Sequence, residues 1–258
     1  MFSTTEITSH EEQSDNVIHQ RLYFAYVEAA KRIKGNVLEI GCGAGRGLET
    51  IIKASDSFTA IDKNEKLLTL HGQQYLHCHF LHQSVPPLEG LEDNEYDYVL
   101  SFQVIEHIED DDLFVKEIHR VLKPGGKAII TTPNIHMSLT RNPWHVREYT
   151  AKQMKDLMGR YFDKVEVKGI TGNHKVMKYY EDNKASVKKI TRFDVFNLQY
   201  RLPRKFLQVP YDLLNRVNRK KLQKGNDELV LSVKVEDYHF ADYAEDGFDF
   251  FCIVEKNG

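Results

Sequence analysis

The sequence predicts an α/β domain: a doubly wound, mostly parallel sheet of seven strands with helices on both faces and a basic, largely helical insertion before the last strand. Three observations carry this. From Asn36 onward, short apolar runs alternate with amphipathic stretches of helix length, the rhythm of strands buried on both faces. The first run empties into "VLEIGCGAGRG", four glycines within seven residues, at a strand-to-helix turn where such sheets hold ligands. Over 171–247 the rhythm breaks, and it resumes in one last apolar run.

The elements follow in chain order. A helix over 16–34 is read from Ile18, Leu22, Tyr26, Ala29/Ala30 and Ile33, which share one stripe and precede the first strand. Strands are expected at 36–41 (NVLEIG), 57–62 (SFTAID), 77–82 (HCHFLH), 97–103 (DYVLSFQ), 127–132 (KAIITT), 164–170 (KVEVKGI) and 248–255 (FDFFCIVE). "EDDDLFVKEIHRVLKPGG" opens with acids suited to a helix N-terminus, repeats apolar residues at Leu113/Phe114, Ile118 and Val121/Leu122, and stops at Pro124-Gly125-Gly126. Thr150 and Gln153 form a capping-box pattern ahead of Met154, Leu157, Met158 and Tyr161. The organisation expected is an N-terminal helical lid (1–35), a core (36–170), the insertion (171–247) and a final core strand (248–258).

Composition narrows the classes. The 258 residues are 41% hydrophobic with a formal net charge of −3, ordinary for a water-soluble chain. No run approaches the ~20 apolar residues of a membrane span, and "MFSTTEITSHEEQSD" lacks the basic-then-apolar order of a signal peptide. Cys42, Cys78 and Cys252 form no C-x-x-C pair, which supports neither a disulfide framework nor a zinc site. The expected location is the cytoplasm.

The glycine run discriminates between ligands. Counting G-x-G-x-x-G from Gly41 puts Arg46 at the third glycine, so the dinucleotide fingerprint fails, and the Gly-Lys-Ser/Thr ending of a P-loop is absent. The pattern that fits is acid-x-Gly-x-Gly-x-Gly, Glu39 to Gly45.

With "LEIGCGAG" followed in order by "FTAIDKN", "YVLSFQVIEHI" and "VLKPGGKAIITTPN", the chain resembles the class I S-adenosylmethionine-dependent methyltransferases, of the type 11 small-molecule branch that includes the ubiquinone-pathway O-methyltransferases. The resemblance covers about 36–170, resumes at the final strand, and implies a Rossmann-like methyltransferase fold. It implies S-adenosylmethionine as cofactor, held by Glu39, Gly41, Cys42, Gly43 and Gly45, with Asp62 on the ribose hydroxyls and Lys63 beside the adenine. The plain alternative for Asp62 is a strand-end turn or helix cap. Where the family often has an Asp for the adenine amine, this chain has Gln83 or Ser84, whose neutral oxygens accept a weaker hydrogen bond. Phe102 and Gln103 fall at the floor of the transfer site in the resembled fold.

Catalytic candidates come from the loops. Glu106 and His107 either orient their loop or face the acceptor. In "TPNIHMSLTRNPWHVREYT", His145 is read as base or acceptor contact against a structural hydrogen bond, with Arg147 and Tyr149 beside it and Trp144 adjacent. His19 and Tyr23 are weaker lid candidates. His77 and His79 share a strand face but His82 takes the other, so no metal is expected.

The basic segment 175–224 holds fourteen Lys/Arg against four Asp/Glu, about +10, leaving about −13 on the rest. The plain reading of "LPRKFLQVPYDLLNRVNRKKLQK" is a cap whose helix starts at Pro210, packs Phe206, Leu213/Leu214 and Val217 on the domain, and leaves Arg216, Arg219, Lys220 and Lys221 in water. A second reading is peripheral contact with an anionic membrane, at its inner face, through 175–224. A third is RNA, from Tyr179, Tyr180, Phe193, Phe196 and Tyr200 among the basic residues, though nucleic acid is disfavoured because no RNA-binding module is recognisable. The function expected is methyl transfer to a small-molecule or lipid-like acceptor, at oxygen by the branch resemblance. Its rivals are an RNA methyltransferase and a non-catalytic cofactor-binding module.

Overall fold

A computed structural model describes residues 12–192, 194 and 197–258. Phe193 and Phe196, offered above as stacking aromatics, lie outside the described residues. In chain order, α1 (Asn16–Ala30) leads into β1 (Asn36–Ile40), followed by α2 (Leu48–Ala54), β2 (Ser57–Asp62), α3 (Glu65–Gln74), β3 (His79–His82), β4 (Tyr96–Phe102), α4 (Asp111–Val121), β5 (Leu122–Pro133), α5 (Ala151–Met158) and β6 (Lys164–Gly172). Helices α6 (His174–Thr191), α7 (Leu198–Arg201), α8 (Arg204–Gly225) and α9 (Asp227–Ser232) precede β7 (Tyr238–Phe240) and β8 (Asp249–Glu255).

The strand order is β3-β2-β1-β4-β5-β8-β6-β7. The first five strands run parallel, and β8 enters antiparallel between β5 and β6. Ile40 at the end of β1 sits between Ile61 of β2 and Ser101 of β4. Here successive connections turn to opposite sides of the sheet, so the loops leaving β1 and β4 part and leave a crevice.

The sheet has eight strands where seven were expected. The extra one, β7, pairs antiparallel with β6 and is too short to show an alternating pattern. β3 begins at His79, which leaves His77 outside it, and α1 ends at Ala30 rather than 34. β5 starts five residues early because the chain passes from α4 straight into extended backbone, Leu122 pairing with Tyr96 before a register shift.

Helix ends obey the local chemistry. Asp110 accepts from Leu113 N at the start of α4, and Thr150 and Gln153 form the reciprocal capping box of α5. The two faces of the sheet carry separate apolar layers. Leu38, Ile40, Val99 and Ile130 pack with Phe114, Ile118 and Met154 on one side. Val37, Leu100, Ile129 and Phe251 pack with Phe24, Ile51 and Val176 on the other.

The helices after β6 join α1 in one cap. Asn16 Nδ2 donates to the carbonyls of Val230 and Val233, Tyr238 donates its hydroxyl to Val17 O, and Arg219 and Arg216 lie 3.0 and 3.5 Å from the carboxylate of buried Asp15.

The cap departs from its expected packing. Phe206, Leu213, Leu214 and Val217 face solvent (72, 63, 49 and 56% exposed), while the polar stripe of α8 turns inward. Asn218 is buried, accepting from Ser186 Oγ and donating to Asn183 Oδ1. Arg216 and Arg219, expected in water, are committed to Asp15. The helix begins at Arg204 after Pro203, and Pro210 lies inside it. Tyr179, one of the stacking candidates, is buried. Among the described residues no helix is long and apolar enough to cross a membrane.

Candidate active site

The glycine loop is held from behind. Gly43 N donates to Asp62 Oδ2 and Asn64 N to Asp62 Oδ1, both at 2.8 Å, so one carboxylate fixes the loops after β1 and β2. His71 Nε2 donates to Gly43 O at 2.9 Å, a brace from α3 that sequence reasoning missed. Gly43 has φ +50°, and a Cβ there would meet no atom within 4 Å. It would project into the open crevice. At Gly47 the constraint is steric, since a Cβ would stand 1.9 Å from Tyr26 Cδ1.

That contact seats α1. The Tyr26 hydroxyl donates to Glu39 Oε1 at 2.8 Å, while Glu39 Oε2 has no hydrogen-bond partner. Burial pushes the Glu39 carboxyl up to about 7, against the Tyr26 hydrogen bond.

A cavity of about 440 Å³ opens over this loop. Of the residues expected around a cofactor, Gly41, Cys42, Gly43, Asp62, Lys63, Gln83, Ser84, Phe102 and Gln103 line it. Glu39 and Gly45 do not, because both lie behind the loop; Gly45 is packed against His71 and Leu48. Leu22, Tyr26 and Arg46 also line it. Leu22 and Tyr26 were read only as an apolar helix stripe, and their role follows from where α1 crosses the sheet edge. Gln83 donates its side chain to Pro87 O.

These residues fit S-adenosylmethionine. Bare backbone at Gly43 admits close approach, Asp62 keeps a lone pair on each oxygen for hydroxyls, and the buried carboxylate of Glu39 favours a cation nearby. A phosphate would meet Asp62 instead of a nest of donors.

A second cavity, of about 260 Å³, adjoins the first, and Leu22, Gln103 and His107 line both. Gln103 leaves β4 with φ 58°, a left-handed conformation rare outside glycine, held by its N–H to Thr131 O at 2.9 Å. Glu106, His107, His145 and Glu148 converge on this cavity. His145 Nδ1 lies 2.6 Å from Glu148 Oε1, and Nε2 lies 2.8 Å from Asn142 Nδ2. A carboxylate and an amide N–H dictate the tautomer: Nδ1 carries the proton and Nε2 the lone pair. His107 Nδ1 faces Trp144 O at 3.0 Å, which likewise makes Nε2 its acceptor nitrogen.

Glu106 is buried, accepts from Thr132 Oγ1 at 3.0 Å, and is pushed by desolvation to about 7 despite the nearby His145. Ligand atoms of Glu106, His107 and His145 lie within 4.8 Å of one another, so this set can take a proton or hold a cation. The His77, His79 and His82 group is not so arranged; His82 donates to Lys63 O. From β8, Asp249 adds a buried carboxyl raised by desolvation, 3.0 Å from Arg21 Nε. Sequence reasoning missed Arg21, Asn142, Glu148 and Asp249.

Other candidates lie elsewhere. Tyr149 is buried with its hydroxyl on Asp111 at 2.9 Å, and Arg147 pairs with the same carboxylate. Neither lines either of these two cavities; they tie the loop to α4. Tyr23 pairs with Thr50 Oγ1, and His19 contacts Arg46, one helical position away from the residues that face inward.

Comparison with known proteins agrees with the geometry. Residues 38–130 match the Methyltransferase domain family. A probable S-adenosylmethionine-dependent methyltransferase of Mycolicibacterium smegmatis is 35% identical over 150 residues, 56% of this chain and 58% of that protein. A ubiquinone biosynthesis O-methyltransferase of Xanthomonas oryzae pv. oryzae is 32% identical over 114 residues, 42% of this chain and 48% of that protein. The chain thus spans about half the length of the curated relatives it matches. A crystal structure from Thermotoga maritima, described as an S-adenosylmethionine-dependent methyltransferase and possible histamine N-methyltransferase, shares the fold with a TM-score of 0.58 at 16% identity, covering 94% of this chain and 93% of that one. Residues 38–130 are thus a methyltransferase domain, on a fold shared with an S-adenosylmethionine-dependent methyltransferase.

Proposed function

We propose that the chain transfers a methyl group from S-adenosylmethionine to a small-molecule or lipid-like acceptor, at an oxygen of that acceptor. The observation that carries this reading is the shared wall: Gln103 and His107 belong to both cavities, so groups held on the glycine-loop side and on the His145 side meet there. The cofactor supplies, when bound, a methyl carbon activated by positive sulfur. Asp62 and the backbone at Gly43 orient one reactant and the second cavity the other, and such alignment is a large share of the acceleration of an in-line displacement.

An acceptor hydroxyl must also lose its proton. The lone pair on His145 Nε2 can take it once the acceptor hydroxyl displaces the Asn142 amide from that nitrogen, while Glu148 holds Nδ1–H and stabilises the imidazolium. This pairing and the similarity to ubiquinone O-methyltransferases support oxygen. Apolar Val17, Ile18, Leu139 and Phe248 beside the polar groups suit an acceptor with a greasy body.

The test is formation of demethylated cofactor with a panel of phenols, catechols, hydroxylated lipids and amines. His145→Ala should lower turnover by about 10²–10⁴ and leave cofactor affinity unchanged, the range expected for loss of a general base. Undiminished turnover, or a loss matched by lost folding stability, would remove His145 from the chemistry. A product methylated at nitrogen would overturn the oxygen assignment, and cofactor binding with no turnover across the panel would favour a non-catalytic module.

A further inference from the structure

α8 is amphipathic in the opposite sense to a helix packed on a soluble core. Tyr211, Asn215, Asn218 and Arg219 turn toward the second cavity. Phe206, Val209, Leu213 and Val217, spaced three, four and four residues apart, form one stripe on the outer side. Their exposures run from 56 to 77%. Leu198, Tyr200 and Leu202, immediately before the helix, are exposed as well. Single exposed apolar residues need no explanation, but a contiguous stripe of this length marks a surface that something covers.

The charges on the same helix say what covers it. Lys220, Lys221 and Lys224 follow Val217 by three, four and seven positions, so the stripe changes from apolar to cationic without leaving its side of the helix. All three are exposed, as is Lys205 at the other end. Two cations that composition suggested for this role, Arg216 and Arg219, are spent on Asp15. The helix is anchored: Trp144 Nε1 donates to Asp212 Oδ1 at 3.0 Å, so the stripe is presented on a fixed element. A second copy docked on this stripe would bring lysine against lysine.

We infer that the outer side of α8 docks on an anionic bilayer, with Phe206, Val209, Leu213 and Val217 at the headgroup–acyl boundary and Lys205, Lys220, Lys221 and Lys224 among the phosphates. The inference rests on exposure and charge and does not depend on the acceptor proposed above.

Vesicle flotation of the whole chain tests it, with phosphatidylglycerol–phosphatidylcholine vesicles against phosphatidylcholine alone, at low and high salt. The chain should float with the anionic vesicles and be released by salt. Lys220→Gln/Lys221→Gln/Lys224→Gln should reduce partitioning roughly 100-fold at low salt, about fivefold per cation. Leu213→Asp/Val217→Asp should abolish flotation. Both variants change only exposed side chains, and S-adenosylmethionine binding, unchanged in each, serves as the measure of folding. A parent chain that stays unfloated with anionic vesicles at low salt overturns the inference. So does flotation that is indifferent to both variants, or a parent dimer in sedimentation that Leu213→Asp/Val217→Asp turns into a monomer, which would assign the stripe to a second copy.

Discussion

At the scale of single residues, Asp62 carries the most. Its oxygens each accept one backbone N–H, from Gly43 and from Asn64, and retain one lone pair for a ligand. Asp62→Ala removes a charged acceptor and also the tie between two loops. S-adenosylmethionine affinity should fall by about 1–3 kcal/mol in calorimetry, the scale of hydrogen bonds to a charged group. Unchanged affinity in a folded variant would take Asp62 out of the site. The place of this residue at the crevice was legible in the sequence, because a carboxylate ending the second strand of such a sheet has little choice of position. The sequence marked the loop after β5 less well. His145, Arg147 and Tyr149 looked equivalent there, yet only His145 turns inward, because Glu148 and Asn142 grip its ring while Asp111 draws the other two toward α4. Such pairings across an irregular loop leave no periodic trace.

At the scale of elements, the glycine loop and α1 are fitted together. Gly47→Ala would set a methyl group 1.9 Å from the Tyr26 ring and force α1 to shift. The expected cost is about 1–3 kcal/mol of folding stability, the range for overpacking, together with weaker cofactor binding as Tyr26 leaves the cavity wall. Gly43→Ala should behave differently. Its Cβ meets nothing, so the folded state pays only the strain of positive φ, about 1–2 kcal/mol, while the methyl group intrudes where the ligand lies. Urea denaturation and calorimetry on the pair check this; equal cofactor affinity in Gly43→Ala and parent would count against the loop as cofactor cradle. Elements were the most legible level: caps, breakers and the 3.6-residue period located α4 and α5 closely. What the period could not tell was which side of α8 faces in. It divides a helix into two stripes without a sign, and the sign here is set by a polar cavity beneath the helix.

At the scale of the whole molecule, buried carboxyls shape the response to pH. Glu39 and Glu106 are each pushed to about 7 by burial, so between the ordinary carboxylate range and 7 the folded chain holds protons that the unfolded chain has released. Stability from these groups is full below the ordinary carboxylate range and is lost as pH rises through about 7. His119, lowered by its own burial, works in the opposite sense, so the comparison with a variant isolates the effect. Glu39→Gln should gain stability relative to the parent at pH 8 compared with pH 5, on the order of 2–3 kcal/mol, read from urea midpoints. An equal difference at both pH values would mean that Glu39 titrates normally in the fold. The sequence predicted the doubly wound architecture because alternating apolar runs and helices admit few arrangements. It did not predict the eighth strand, whose three residues pair only because β6 offers them an open edge.

The place of β8 bears on the order in which the molecule is made. It is synthesised after every other strand, yet it lies between β5 and β6 and hydrogen-bonds to both. Until it emerges, β6 and β7 have no sheet to join, and Asp249, which faces Arg21 across more than two hundred residues of chain, has no position. A nascent chain can therefore assemble the parallel strands β1–β5 and the glycine loop early, while the side of the site near Asp249 waits on the longest-range closure in the fold, a slow kind of step in proteins rich in non-local pairing. The half around the glycine loop can be in place on the ribosome before the half around the second cavity is complete.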